Sequence, residues 1–119
     1  MTIRADPAED HALAHLERQG LILVARNYAC RGGEIDLIMR DGSTLVFVEV
    51  RHRTRSQFGT PEETVGADKQ RRLVLAARHY LARNPASARS PMRFDVVAIS
   101  GPLTGAELRW IRNAITGDG

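Results

Sequence analysis

The Asp41-Gly42 dipeptide constrains the folding of this chain more than any other feature. It separates two runs, 34–40 and 44–51, that are rich in β-branched and other apolar residues. A two-residue loop of this composition accepts the positive φ that a tight hairpin demands, so the two runs are expected to pair antiparallel. With Asp41 and Gly42 as the loop, Arg40 faces Ser43, Asp36 faces Phe47 and Glu34 faces Glu49. Side chains alternate along a strand. Glu34, Asp36, Phe47, Glu49 and Arg51 are therefore expected on one face, with Ile35, Leu37, Val46, Val48 and Val50 filling the other as core. Asp36 and Glu49 become diagonal neighbours within reach of one ligand. A bulge or a three-residue loop would reverse that parity.

Carboxylates crowded on adjacent strands repel unless something neutralises them. A divalent cation would do so. Mg²⁺ takes one or two carboxylates together with waters and a substrate phosphate, and in that setting it activates water and polarises the phosphoryl group. The alternative is a polar strand face open to solvent and balanced by Arg51 and Arg53. Three acids and a basic residue on one face of an otherwise apolar hairpin favour a site over that alternative.

The rest of the chain supplies the setting. Asp6, Pro7 and Glu9 are spaced as a helix start. Ala12, Leu13 and Leu16 give the segment 7–19 an apolar face, and Gly20 ends it. Glu9 lies three and four residues before Ala12 and Leu13, so it shares that face. It can rim a cleft there or serve simply as a first-turn acid. Residues 21–28 read as a strand. Thr60-Pro61-Glu62-Glu63 can cap a short helical turn, and 68–83 reads as a second helix stopped by Asn84-Pro85. Residues 94–100 form a dense apolar strand, and 108–115 is open between a final strand and irregular structure. Helix, three strands, helix and one or two strands imply an α/β sandwich around a mixed sheet. The 119 residues fit one domain, 1–119.

Composition narrows the function classes. Hydrophobic residues are 43% and charged residues 26%, a soluble globular balance. No apolar run approaches the roughly 20 residues of a membrane span. A single cysteine, Cys30, excludes an internal disulfide and a cysteine zinc cage, so the cytoplasm is the expected location. Charge is uneven. Residues 1–50 carry five arginines against eight acids, a net of −3, and 51–119 carry twelve basic residues against six acids, a net of +6. Arg51, Arg53 and Arg55 form one basic cluster, and Lys69, Arg71 and Arg72 another. Such clusters suit a polyanion such as nucleic acid, or else a solvated surface. His11 and His15 lack the Glu of a zinc-protease helix and lie off the Glu9 face, so they are read as exposed. His52 is assigned no role, and Trp110 is read as core or interface.

Gly33-Glu34-Ile35-Asp36-Leu37-Ile38 followed by Val46-Phe47-Val48-Glu49-Val50-Arg51 closely resembles the YraN-like family of uncharacterised bacterial proteins. Glu9, Ala12, Leu16, Gly20, Asn27, Lys69, Arg72, Tyr80-Leu81, Arg93-Phe94-Asp95-Val96-Val97 and Asn113-Ala114 match the family further along the chain. That family is similar to the PD-(D/E)xK nucleases. The resemblance implies a restriction endonuclease-like, three-layer α/β/α sandwich. It implies Asp36 and Glu49 as metal-binding acids for Mg²⁺ or Mn²⁺, with Glu9 as a further ligand or water holder; Glu34, on the same hairpin face, is an additional metal candidate. The superfamily lysine falls on Arg51, a departure. Arginine stays protonated and cannot act as a base, but it can hold a phosphate. Lys69, the only lysine, is a second source of an ammonium group if its helix points it at the sheet, and is otherwise a plain helix-start residue. Gln70 is a neighbouring candidate for orienting water or phosphate. Three functions follow as expectations: a metal-dependent endonuclease or resolvase-like hydrolase of DNA or other nucleic acid, a nucleic-acid-binding protein that does not cut, or a protein-interaction module with a vestigial site. Fold-level analogy adds a homodimer.

Overall fold

The computed structural model describes residues 6–53 and 66–115. Asp6 opens α1 (Pro7–Arg18), its carboxylate accepting from the backbone N–H groups of Ala8 (2.9 Å) and Glu9 (3.3 Å). Pro7 occupies the first turn, where no N–H is needed. The chain continues through β1 (Ile22–Cys30), β2 (Gly33–Asp41), β3 (Thr44–Arg53), α2 (Ala67–Arg83), β4 (Met92–Ser100) and β5 (Glu107–Ile115). Single 3₁₀ turns at Ser87–Arg89 and Leu103–Gly105 flank β4. The first strand runs two residues past its expected end, and 108–115 resolves as strand. The helical turn expected at Thr60–Glu63 lies outside the described residues.

The strands form one sheet in the order β1-β2-β3-β4-β5. Every neighbouring pair is antiparallel except β3 and β4, which are parallel. Parallel neighbours need a long connection, and α2 lies within this one. The sheet is thus mixed, as expected, and each face carries a helix. On one face Ala8, Ala12 and Leu16 of α1 pack on Leu37, Met39, Val46, Val48, Val97 and Ile99. On the other, Leu73, Ala76, Ala77 and Tyr80 of α2 pack on Ile35, Ile38, Leu45, Phe47, Phe94 and Val96. This is the three-layer α/β/α arrangement. No described helix is long and apolar enough to cross a membrane.

Two details of the hairpin differ from expectation. Its loop is Gly42-Ser43, because Asp41 pairs with Thr44 and Leu37 with Val48. Gly42 takes φ +60°, the left-handed conformation that favours glycine in such a turn. The register moves by two residues, which preserves parity and carries Asp36 from diagonal to Glu49 to directly opposite it. The second difference is a reversal within β2. Leu37 and Met39 belong to the α1 face and Ile38 to the α2 face, so strict alternation would send Ile35 toward α1. Ile35 instead packs with α2, as does Gly33, where a Cβ would fall 2.4 Å from Arg72 O. The strand changes sides at Asp36. The expectation that Ile35 shares a core face with Leu37, Val46 and Val48 is therefore corrected, and Phe47 proves fully buried core on the face assigned to the acids.

Candidate active site

The reversal at Asp36 places its carboxyl where the two layers meet. Oδ2 accepts from the Val50 backbone N–H at 2.8 Å, tying β2 to β3 beyond the Leu37–Val48 ladder pair. Glu9, only 3% exposed, comes from the buried side of α1 and is hydrogen-bonded to Asp36. Glu49, 4% exposed, continues the alternation of Leu45 and Phe47 and so faces α2. There Lys69 Nζ lies 2.8 Å from Glu49 Oε2. Asp36 and Glu49 lie close enough for each to act on the other. Carboxyl groups from α1, β2 and β3 thus gather side by side, and the Lys69 ammonium from α2 pairs with one of them, Glu49.

Electrostatics follow from this crowding. Burial, reinforced by Glu9, lifts Asp36 from 3.8 to about 6 against the opposing pull of the Val50 N–H. Burial and the neighbouring Asp36 lift Glu49 from 4.5 to about 7, with Lys69 holding it down. The cluster is poised to exchange protons for positive charge in the neutral range. Among the described residues, no group of three or more His, Cys, Asp or Glu side chains is set to hold a metal ion. Asp36 and Glu49 alone fit, in donor type and number, the two hard carboxylates that Mg²⁺ takes when waters and a phosphate complete its shell.

The remaining candidates divide by position. Glu34, beyond the reversal, is exposed opposite Ala29, and the acids acting on Asp36 are Glu9 and Glu49. Arg51 is half-buried on β3, two residues beyond Glu49 and opposite Ala98. Gln70 lines a groove of about 500 Å³ with Ala67, Val74, Arg78 and Ile115. Arg72 is exposed, and exposed Arg71 is ion-paired with Asp68. Both line a groove of about 410 Å³ beside Gly32 and Leu75. Arg53 is half-buried, its carbonyl accepting from the Gly101 N–H at 2.8 Å. Arg55 lies outside the described residues.

Several contacts were not legible beforehand. Arg26 of β1 reaches α1, with Nη2 2.8 Å from Asp10 Oδ1 and 3.7 Å from Glu9 Oε1. Asp95 is completely buried and fully engaged. It accepts from Arg93 Nε (3.0 and 3.1 Å), Trp110 Nε1 (2.9 Å) and the Asn113 N–H (2.8 Å), while Arg93 also bonds Asp41 at 2.9 Å. A lone Asp inside a dense apolar strand is the signal that such a network exists. Trp110 is thereby half-buried rather than fully core. His15, expected on the surface, is half-buried and packs edge-on against it at 6.3 Å. His52 Nε2 donates to Gly101 O at 3.0 Å, a contact within the scaffold.

Comparison with known proteins places the chain in a family. The profile of Uncharacterised protein family UPF0102 matches residues 8–99, which span every residue of the acid–lysine cluster. A UPF0102 protein of Pseudomonas entomophila is 52% identical over 108 residues, covering 90% of this chain and 88% of that protein. Relatives from Dechloromonas aromatica (52% over 117 residues, covering 98% and 92%) and Cupriavidus taiwanensis (55% over 120 residues, covering 97% and 84%) bear the same name. The chain therefore belongs to Uncharacterised protein family UPF0102, the YraN-like family.

Proposed function

We propose that this protein is a metal-dependent endonuclease or resolvase-like phosphodiesterase acting on DNA. The observation that carries the reading is the close pairing of Asp36 with Glu49, whose carboxylate also meets Lys69 Nζ at 2.8 Å. In this reading Asp36 and Glu49 hold Mg²⁺ or Mn²⁺, and Glu9 supports the shell through its hydrogen bond to Asp36. The cation would supply Lewis acidity and an activated water. With a cation held by Glu49, the Lys69 ammonium would be free of that ion pair and available to the water or the scissile phosphate. The Lys69 side chain is 55% exposed, so it has room to move. The guanidinium of Arg51 stabilises charge developing on the phosphate. Arg53, Arg71 and Arg72 provide phosphate contacts along the backbone of the nucleic acid.

A second reading, binding without cleavage, is favoured by Arg51 at the place of the superfamily lysine. Lys69 is the observation against it, because an ammonium is still available to the acids. Calorimetry with Mn²⁺ is the first test: one site in the wild type, lost in Asp36→Ala. No such site sinks the metal reading. Cleavage of linear, nicked, flapped and four-way DNA is the second. Cutting that Lys69→Met lowers at least about a hundredfold supports the ammonium assignment, given the usual size of general acid–base contributions. Salt-sensitive DNA binding with no cutting on any substrate selects the second reading.

A further inference from the structure

Both strands of the β1–β2 ladder reverse at the same point. In β1, Arg26 faces α1, where it pairs with Asp10 and Glu9. Ala25, Tyr28 and Cys30 pack with the α2 layer. Alternation from Arg26 would send Tyr28 toward α1, so the strand changes sides between them, at Asn27. Asn27 takes φ +51°, one of two non-glycine residues described in the left-handed region. In β2 the change falls between Ile35 and Leu37, at Asp36. The register pairs Arg26 with Leu37 and Tyr28 with Ile35, which brings Asn27 and Asp36 opposite one another. The side-switch is one event shared by two residues.

We infer that Asn27 is a positioning residue for the acid cluster, its left-handed backbone forcing the paired reversal that lifts Asp36 between the α1 and α2 layers. The same turn keeps Arg26 on the α1 side, where its guanidinium braces Glu9. Without it, a straight β1 would favour ladder pairing through Asp36 and draw its carboxyl away from the Val50 N–H. Asparagine suits the position because it tolerates this region far better than most side chains.

The inference rests on the metal-site reading for its functional consequence, but its geometry can be tested without metal. Amide exchange of Val50, whose N–H donates to Asp36 Oδ2 at 2.8 Å, reports the placement of that carboxyl. Exchange is compared with Val48, the ladder partner of Leu37 in the same strand, so that general loss of stability moves both alike. Asn27→Gly, which keeps the left-handed region open, is expected to leave the Val50-to-Val48 ratio within about twofold of wild type. Asn27→Ala is expected to raise it about tenfold, the scale set by the left-handed penalty. If Asn27→Ala does not fold, Asn27→Ser replaces it. An unchanged ratio in the alanine or serine variant overturns the inference. Calorimetry with Mn²⁺ on the same proteins separates the two claims. A shifted ratio with a parallel, about tenfold loss of Mn²⁺ affinity, restored in Asn27→Gly, supports both. A shifted ratio in a protein whose wild type binds no Mn²⁺ leaves the positioning role standing and removes the metal site. A shifted ratio with undiminished Mn²⁺ affinity overturns the link between Asn27 and the site.

Discussion

Replacing Asp36 by Asn in the metal-free protein at pH 8 is expected to make the protein more stable while abolishing its metal site. The cause is the crowding of acids. A carboxyl held at about 6 instead of 3.8 loses about 3 kcal/mol of folding stability when fully ionised. An amide carries no charge, its oxygen can still accept from the Val50 N–H, and its nitrogen can donate to Glu9 or Glu49. Part of the gain is offset because an amide is also costly to bury. The net expectation is about 1–3 kcal/mol, or about 4–12 °C in Tm for a domain of this size. The assay is thermal unfolding with EDTA at pH 8 and at pH 4. At pH 4 the folded-state carboxyl is already protonated, so the advantage of Asn should nearly vanish. Excess Mn²⁺ at pH 8 should raise the Tm of the wild type and leave that of Asp36→Asn unmoved. A variant no more stable than wild type at pH 8, or equally stabilised at both pH values, would refute the reasoning.

The raised carboxyls also set a pH dependence for the wild type. Folded values of about 6 for Asp36 and about 7 for Glu49 exceed the unfolded ones, so these groups favour the fold at pH 4 and withdraw that stability as pH rises through 6 and 7. Denaturant titrations in EDTA should show the fall, and saturating Mn²⁺ should flatten it. Gly33→Ala should destabilise the protein by about 1–3 kcal/mol, since its Cβ would meet Arg72 O at 2.4 Å and push α2 off the sheet; a urea midpoint equal to that of wild type would contradict the close approach. Asp95→Ala leaves Arg93, the Trp110 indole N–H and the Asn113 N–H without their buried acceptor and should cost about 3–5 kcal/mol. Near-ultraviolet circular dichroism of Trp110 and the urea midpoint both report that loss.

Much of the architecture was legible in local chemistry. Asp6, Pro7 and Glu9 announce a helix because capping is settled within one turn. The Asp-Gly pair between two apolar runs announces the hairpin, although the turn itself begins one residue later, at Gly42. Whether 108–115 is a strand or irregular was harder to read. Its half-exposed pattern on an edge strand lacks the period of a deeply buried one. The candidate site was legible as a pair of acids, Asp36 and Glu49, because parity survives a two-residue shift in register.

The tertiary structure decided the rest. Pattern alone could not foresee that β2 changes faces at Asp36, because that reversal depends on a left-handed residue nine positions earlier on the neighbouring strand. It separates Glu34 from the cluster and brings in Glu9. Nor could pattern choose between Arg51 and Lys69 as partner of the acids. Both are basic residues near Glu49 in principle, and only the packing of α2 over β2, close enough to require Gly33, brings Nζ to 2.8 Å from the carboxylate. The sequence by itself determined which residue types could meet and on which strands, because those follow from spacing and side-chain chemistry within a few residues. Which of them do meet was decided by register, reversal and layer packing, which are properties of strands and helices brought together from distant parts of the chain.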